Sequence, residues 1–324
     1  MRRALLVVIA LAILAGPFGA GAQTAIRLVS VGFLSASSAA NDQMRPAFVE
    51  GLREHGYIEG QNLVLESRYV ESRFERLPAL ATELVRLRCD VIVAAVTQAS
   101  LAARDATATI PIVMIGVADP VGAGLVASLA RPGGNVTGTS GAFTQIVGKQ
   151  MELLRETFPD VPRFAVLWNP GNAVYQALQL REAQIAARTL RVELQLLEAR
   201  SLADVERVFA SIAPRRPLLV QGDPLFNAHR RRIAELATAR RVPIASSLSE
   251  YAEAGVLLAY GPSVGDLARR SAVYVDKILK GARPAELPVE EPTSFDLVIN
   301  LKTARAIGVT IPHPLLLRAQ RVID

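Results

Sequence analysis

Cysteine is nearly missing from this chain: one residue, Cys89, in 324 positions. A single cysteine excludes an intramolecular disulfide. Histidine is almost as scarce, with His55, His229 and His313 far apart in sequence. Neither these nor Cys89 make a spaced ligand set, so no metal site is expected. Aromatic residues are 5% of the chain, too few for a nucleobase-stacking platform, and no helix-turn-helix segment or basic tail is present. The arginine clusters at 230–232, 240–241 and 269–270 read as solvated helix faces, despite a net charge of +6. Nucleic acid is therefore not an expected partner. Charged residues are only 20% and hydrophobic ones 51%, which describes a globular chain long enough for two domains.

Long apolar runs are confined to the N-terminus. Met1-Arg2-Arg3 precedes the apolar stretch Ala4–Ala15, then Gly16-Pro17 and the small-residue site Ala20-Gly21-Ala22. Basic, apolar, then A-x-A is the order of a secretory signal peptide, and the run falls short of the ~20 apolar residues of a membrane span. Residues 1–22 are expected to be removed. No cysteine follows the site, so no lipid anchor is expected.

What is abundant is strand–corner–helix alternation. Apolar strands are predicted at 26–34, 62–69, 90–95, 111–115 and 136–139, then at 164–167, 192–197, 218–220, 243–245 and 256–259. Helices are predicted between them, one carrying Met44, Phe48 and Leu52 at i, i+4 and i+8 and another following the corner Asp119-Pro120. Strands apolar on both faces belong in parallel sheets covered by helices. Two such runs predict an α/β protein of two doubly wound parallel-sheet lobes. A helix at 267–279, proline-spaced segments and a strand at 295–299 suit a chain that crosses between lobes, giving a three-segment hinge near 140–144, 260–264 and 284–293. Lobe one is expected to be 26–141 plus about 263–290, and lobe two 142–262 plus about 291–324.

Ligands of such sheets sit beyond the carboxyl ends of the strands. Small polar residues recur there: Ser35, Ser37 and Ser38, Thr97 and Gln98, Asp119, and Thr139 with Ser140 in lobe one. Lobe two supplies Asn169 and Asn172, Asp223, and Ser247 beside Ser246. Hydroxyls and helix N-terminal N–H groups suit a carboxylate, and Asp119 or Asp223 suits an ammonium. Each residue alone reads first as a helix cap or turn former; together, on two facing lobes, they read as a site. Two enzymatic patterns fail. Gly122-x-Gly124-x-x-Ala127 resembles a dinucleotide fingerprint, but no acidic residue lies between Asp119 and Glu152 to hold a ribose, and no cofactor is expected. Gly138-Thr-Ser140-Gly-Ala142 lacks the last glycine of a hydrolase elbow, and only His229 and His313 follow it. A catalytic role for Ser140 stands as a remote alternative.

Across the chain, Gly51-Leu-Arg-Glu-His-Gly-Tyr-Ile-Glu-Gly60, Asp90-Val-Ile-Val-Ala94, Asp119-Pro120, the stretch from Gly124 through Arg131-Pro-Gly-Gly-Asn-Val-Thr-Gly138, and Tyr260-Gly-Pro262 carry a resemblance. So do Tyr274-Val-Asp-Lys-Ile-Leu-Lys-Gly281 and Leu297-Val-Ile-Asn-Leu-Lys-Thr-Ala304. The chain resembles the ABC-transporter solute-binding family of type I periplasmic-binding-protein architecture, which includes binders of tryptophan and other aromatic amino acids. The resemblance implies a hinged monomer in the periplasm that closes on a small-molecule solute and delivers it to a membrane permease with its ATPase, without chemistry. It places cleft-lining corners at 35–38, 97–98, Asp119, 139–140, Asn169 and Asp223. Gly222 stands where a more polar residue is expected. Phe33, Phe143, Trp168, Tyr175, Phe226 and Tyr251 are candidate walls. A sensory subunit for a membrane receptor fits the same residues.

Overall fold

Val31, Phe33, Val91, Val93, Val113 and Ile115 are fully buried on one face of a sheet, and Leu34, Ile92, Ala94, Ile112 and Met114 on the other. A sheet apolar on both faces needs a helical layer on each side, which is how the chain folds. The computed structural model describes residues 28–71 and 73–324, so the expected signal peptide lies outside the described residues.

The first sheet collects β1 (Val29–Ser35), β2 (Leu63–Tyr69), β3 (Val91–Ala95), β4 (Ile112–Val117) and β5 (Val136–Ser140), separated by α1 (Met44–Glu54), α2 (Leu77–Arg86) and α3 (Val96–Ala106). Its order is β2-β1-β3-β4-β5, all parallel. The chain then passes through α4 (Val147–Thr157), β6 (Arg163–Trp168), α5 (Ala173–Leu190), β7 (Glu193–Glu198), α6 (Leu202–Ser211) and β8 (Leu218–Val220). Next come α7 (Pro224–Ala228), α8 (Arg230–Arg240), β9 (Ile244–Ser246), α9 (Ser249–Ala254), β10 (Leu258–Gly261) and α10 (Val264–Leu279). It closes with β11 (Asp296–Asn300), α11 (Leu301–Ile307), α12 (His313–Arg318) and β12 (Arg321–Ile323). The second sheet is ordered β12-β11-β10-β9-β8-β6-β7, parallel except where β11 runs against β10. Both sheets are the largely parallel, helix-covered sheets of an α/β protein.

α10 belongs to the first sheet although its neighbours in sequence belong to the second. Gly51 on α1 meets it so closely that a Cβ would lie 2.7 Å from the Arg269 carbonyl oxygen. The chain thus changes sheets after β5, between β10 and α10, and after Glu290. The third passage runs beside the first: Ser140 N donates to the Glu290 carbonyl oxygen at 2.8 Å, and Glu290 N to that of Gly138 at 3.0 Å. Tyr260 and Phe295, from the second and third passages, stack with ring centroids 5.9 Å apart.

One predicted element is corrected. The segment after Asp119 is a series of turns rather than a helix. Gly124 takes φ +69° and Gly133 φ +81°, and Pro132 removes a donor, so no run of i→i−4 bonds can propagate. Leu125 and Val126 still bury 94% of their surface, which explains the helix-like apolar pattern. α4 and α9 were not legible as separate helices, and β12 extends the polar end.

Candidate ligand-binding cleft

The corners at the carboxyl ends of β1, β3 and β4 face those of β8 and β9 across a cavity lined from both lobes. The cavity has a volume of about 100 Å³. One water needs roughly 10–15 Å³ of such space, so the cavity suits a small organic molecule. Met44, Ala118, Phe143, Leu248 and Val264 give it apolar walls.

Lobe one contributes hydroxyls and a helix end. Ser35 Oγ accepts from Ser37 N at 3.2 Å, folding the end of β1 back over the cavity. Between β3 and α3 the backbone passes through φ +66° at Val96, a β-branched residue in a left-handed conformation. Such strain costs about 1–3 kcal/mol and collects at functional sites. It aims the first turn of α3 at the cavity, where unpaired N–H groups favour an anion. Thr97 Oγ1 accepts from Ala118 N at 3.3 Å and fixes that corner to the end of β4.

Lobe two contributes a buried carboxylate. Asp223 caps α7 and is 4% exposed. Its Oδ1 accepts from Leu225 N at 2.9 Å and from Asn169 Nδ2 at 3.1 Å; its Oδ2 accepts from Asn172 Nδ2 at 2.7 Å. All three donors are neutral. Burial pushes the Asp223 carboxyl above its ordinary range, and these hydrogen bonds pull it only partly back. Beside it, the Tyr175 hydroxyl accepts from Gln179 Nε2 at 2.8 Å, which leaves its own proton to donate. Burial raises its pKa. Gly222 has a steric reason: a Cβ there would lie 2.8 Å from Tyr175 Oη and 3.2 Å from Ser247 Oγ. A polar side chain would fill the space those hydroxyls share. Ser247 Oγ itself is buried without a hydrogen-bond partner in the protein.

Of the residues singled out in the sequence, Ser35, Ser37, Thr97, Gln98, Asp223 and Ser247 line this cavity. Asn169 and Asn172 stand behind it as the holders of Asp223. Asn172 also accepts from Gln98 Nε2, so one amide joins the lobes. Thr139 is tied inside lobe one, accepting from Gly116 N at 3.2 Å and lying 3.0 Å from Ser271 Oγ. Ser38 accepts from Asn41 Nδ2 at 2.9 Å within a surface turn. Asp119, whose Oδ1 accepts from Gly122 N at 2.7 Å, and Ser140 line a separate hollow on the hinge side, with Thr144, Arg181 and Glu291. Phe143 and Tyr175 form walls, whereas Phe33, Phe226 and Tyr251 are fully buried core. Asp42 and Glu250 line the cavity and carry no sequence signal beyond that of ordinary residues at helix starts.

Ser140 Oγ donates to the Val117 carbonyl oxygen at 3.2 Å and accepts from Ala142 N at 3.0 Å. It clips the first hinge passage, and no histidine takes its proton. Ser140→Ala is expected to cost about 1–2 kcal/mol, a few degrees in Tm, while ligand affinity changes less than about twofold. Lost affinity at unchanged Tm, read by parallel calorimetry and melting, would place Ser140 in the binding site instead. Among the described residues, no group of three His, Cys, Asp or Glu is placed to hold a metal ion.

The family model for ABC transporter substrate binding proteins matches residues 31–323. The chain belongs to the ABC transporter substrate-binding protein family. That family binds solutes and is not one of enzymes, which removes the hydrolase alternative for Ser140. Among relatives, a tyrosine-binding protein of Clostridioides difficile is 27% identical over 269 residues, 83% of this chain and 77% of that protein. The Streptococcus pneumoniae ABC domain in complex with L-Trp is 26% identical with a TM-score of 0.81, covering 91% of this substrate-binding chain and 99% of that one. The ligand-free, open structure of a substrate-binding protein with adhesive properties from Clostridium difficile is 25% identical over the same 91% of this chain and 99% of its own, yet its TM-score is 0.67. Identity and coverage are matched, so the difference lies in geometry. The overall arrangement of this binding protein is nearer that of the L-Trp complex than that of the open structure, in keeping with a cavity lined from both lobes and the Gln98–Asn172 contact. No helix among the described residues is long and apolar enough to cross a membrane.

Proposed function

We propose that this protein captures an amino acid in the inter-lobe cavity of the exported, periplasmic chain and presents it to a membrane permease with its ATPase. Asp223 carries the reading: a carboxylate 4% exposed, at a cavity wall, held by neutral donors and, among the described residues, paired with no cation. Burying an unpaired charge is costly, so such a group is suited to a ligand that brings the countercharge. An α-ammonium on Asp223 and an α-carboxylate at Ser35, Ser37 and the start of α3 satisfy both ends of a zwitterion. The L-Trp complex and the tyrosine-binding relative support the ligand class.

A thermal-shift screen of the purified protein against L-amino acids, short carboxylates, sugars and purines tests this. Ligand at a hundred times its Kd adds about 2.7 kcal/mol, a shift of roughly 5–10 °C. Response to amino acids supports the proposal; response to sugars or purines alone contradicts it. Gln98→Ala removes the inter-lobe amide contact and is expected to weaken binding about threefold to tenfold, chiefly through faster dissociation in stopped-flow or surface-plasmon measurements. A slower association at unchanged dissociation would contradict a closing role.

A further inference from the structure

The charge on the cavity wall has one sign. Asp42 before α1, Asp223 before α7 and Glu250 in the first turn of α9 all line it, and among the described residues no lysine, arginine or histidine does. Two neighbouring arginines favour the ionised forms of Asp42 and Glu250 only from a distance and more weakly than burial opposes them, because their side chains bond elsewhere: Arg45 forks onto Glu59 at 2.8 and 3.0 Å, and Arg230 donates to the Asn227 carbonyl oxygen at 2.9 Å. The carboxylates also hold unused acceptor capacity. Asp42 Oδ1 caps α1 through Met44 N at 2.9 Å and Arg45 N at 3.2 Å, the Tyr69 hydroxyl beside the carboxyl favours its charged form, and its buried Oδ2 makes no close hydrogen bond. Glu250 receives one side-chain hydrogen bond, a long one of 3.4 Å from Ser249 Oγ. Burial raises the pKa of all three carboxyls, which places each in a setting that opposes an isolated negative charge.

An amino acid with an apolar side chain brings one ammonium, sufficient for Asp223 alone. Asp42 and Glu250, half-buried at the cavity wall, would then be covered by apolar ligand surface, where an unpaired charge is unfavourable. Resting on the amino-acid reading above, we propose that the ligand is net cationic: an amino acid whose side chain ends in an ammonium, guanidinium or similar cation, received by Asp42 from lobe one and Glu250 from lobe two. This departs from the aromatic ligands of the two relatives. The apolar walls Met44, Phe143 and Leu248 then cover the methylene stem, as they would that of any long side chain.

Calorimetric titration with near-isosteric pairs tests it: L-arginine against L-citrulline, and L-lysine against L-norleucine. The charged member of at least one pair is expected to bind ten times tighter or more. Glu250→Gln and Asp42→Asn each keep shape and, at Asp42, the cap; at least one should shrink that ratio to threefold or less with Tm held within a few degrees. Equal binding within the pairs, or a ratio untouched by both variants, overturns the proposal. Binding of L-tryptophan or L-tyrosine without any binding of the basic amino acids also overturns it, while leaving the amino-acid reading standing. Failure of every amino acid to bind takes that reading down as well.

Discussion

Asp223→Asn is expected to weaken amino-acid binding at least thirtyfold, because removing one partner of a buried charge pair costs about 2–5 kcal/mol. The variant keeps the shape of the residue but not its charge. Its amide must also share space with Asn172 Nδ2, which now donates to Asp223 Oδ2 at 2.7 Å. Relief of the buried charge and this donor–donor conflict oppose each other, so the unliganded Tm at pH 7 should move little. The pH dependence separates the two. Burial raises the folded-state pKa of Asp223 above the ordinary 3.8, so the folded protein binds the proton more tightly than the unfolded chain. Protonation therefore favours the fold: as pH falls through the raised pKa toward 3.8, wild type gains stability relative to Asp223→Asn. Ligand affinity follows the opposite course, since a proton on Asp223 competes with the ammonium. Melting and titration across pH 4–8 in both proteins check both signs. A ligand affinity that rises on acidification would contradict the ion pair.

Gly138→Ala is expected to destabilise the protein by about 2–5 kcal/mol, a fall in Tm of roughly 10 °C, adding the overpacking of a tight core to a left-handed backbone. Gly138 has φ +129°, and a Cβ there would lie 2.2 Å from the Met114 carbonyl oxygen and 2.7 Å from Met114 N. The clash is with backbone, so no rotamer relieves it. Its own carbonyl accepts from Glu290 N at 3.0 Å, so the strain is delivered where the third passage pairs with β5 and where β4–β5 register shifts. Gly134→Ala is the matched control. Nothing lies within 4 Å of its Cβ position, and its cost should stay within about 0.5 kcal/mol. Chemical denaturation of both variants reads the contrast; equal costs would mean that β5 shifts freely and the close approach is not a constraint.

How much of this was open to a reader of the sequence depends on whether the signal was periodic or spatial. Strands such as Val91–Ala95 and Ile112–Val117 announce themselves because both faces are apolar, and the doubly wound lobes follow. The apolar pattern around Leu125 misled, because burial of turn residues imitates a helical stripe that the left-handed Gly124 and Gly133 and the intervening Pro132 break. The polar corners were visible as a class, yet their separate duties were not. Asp223 faces the cavity, while Asn169 and Asn172 orient it from 54 and 51 residues away. Asp42 and Glu250 look like any acid near a helix start, and only the meeting of two lobes makes them neighbours of one cavity. The antiparallel entry of β11 against β10 depends on how the last passage returns to its sheet, which local sequence does not encode.

A crystal structure of the protein with the amino acid that binds it most tightly tests the central claim most directly. The ammonium nitrogen should lie about 2.7–2.9 Å from Asp223 Oδ2, as charge-assisted pairs do, with the ligand carboxylate at Ser35, Ser37 and the start of α3. A ligand lodged instead in the hinge-side hollow of Asp119 and Ser140, or turned so that its carboxylate faces Asp223, would contradict it.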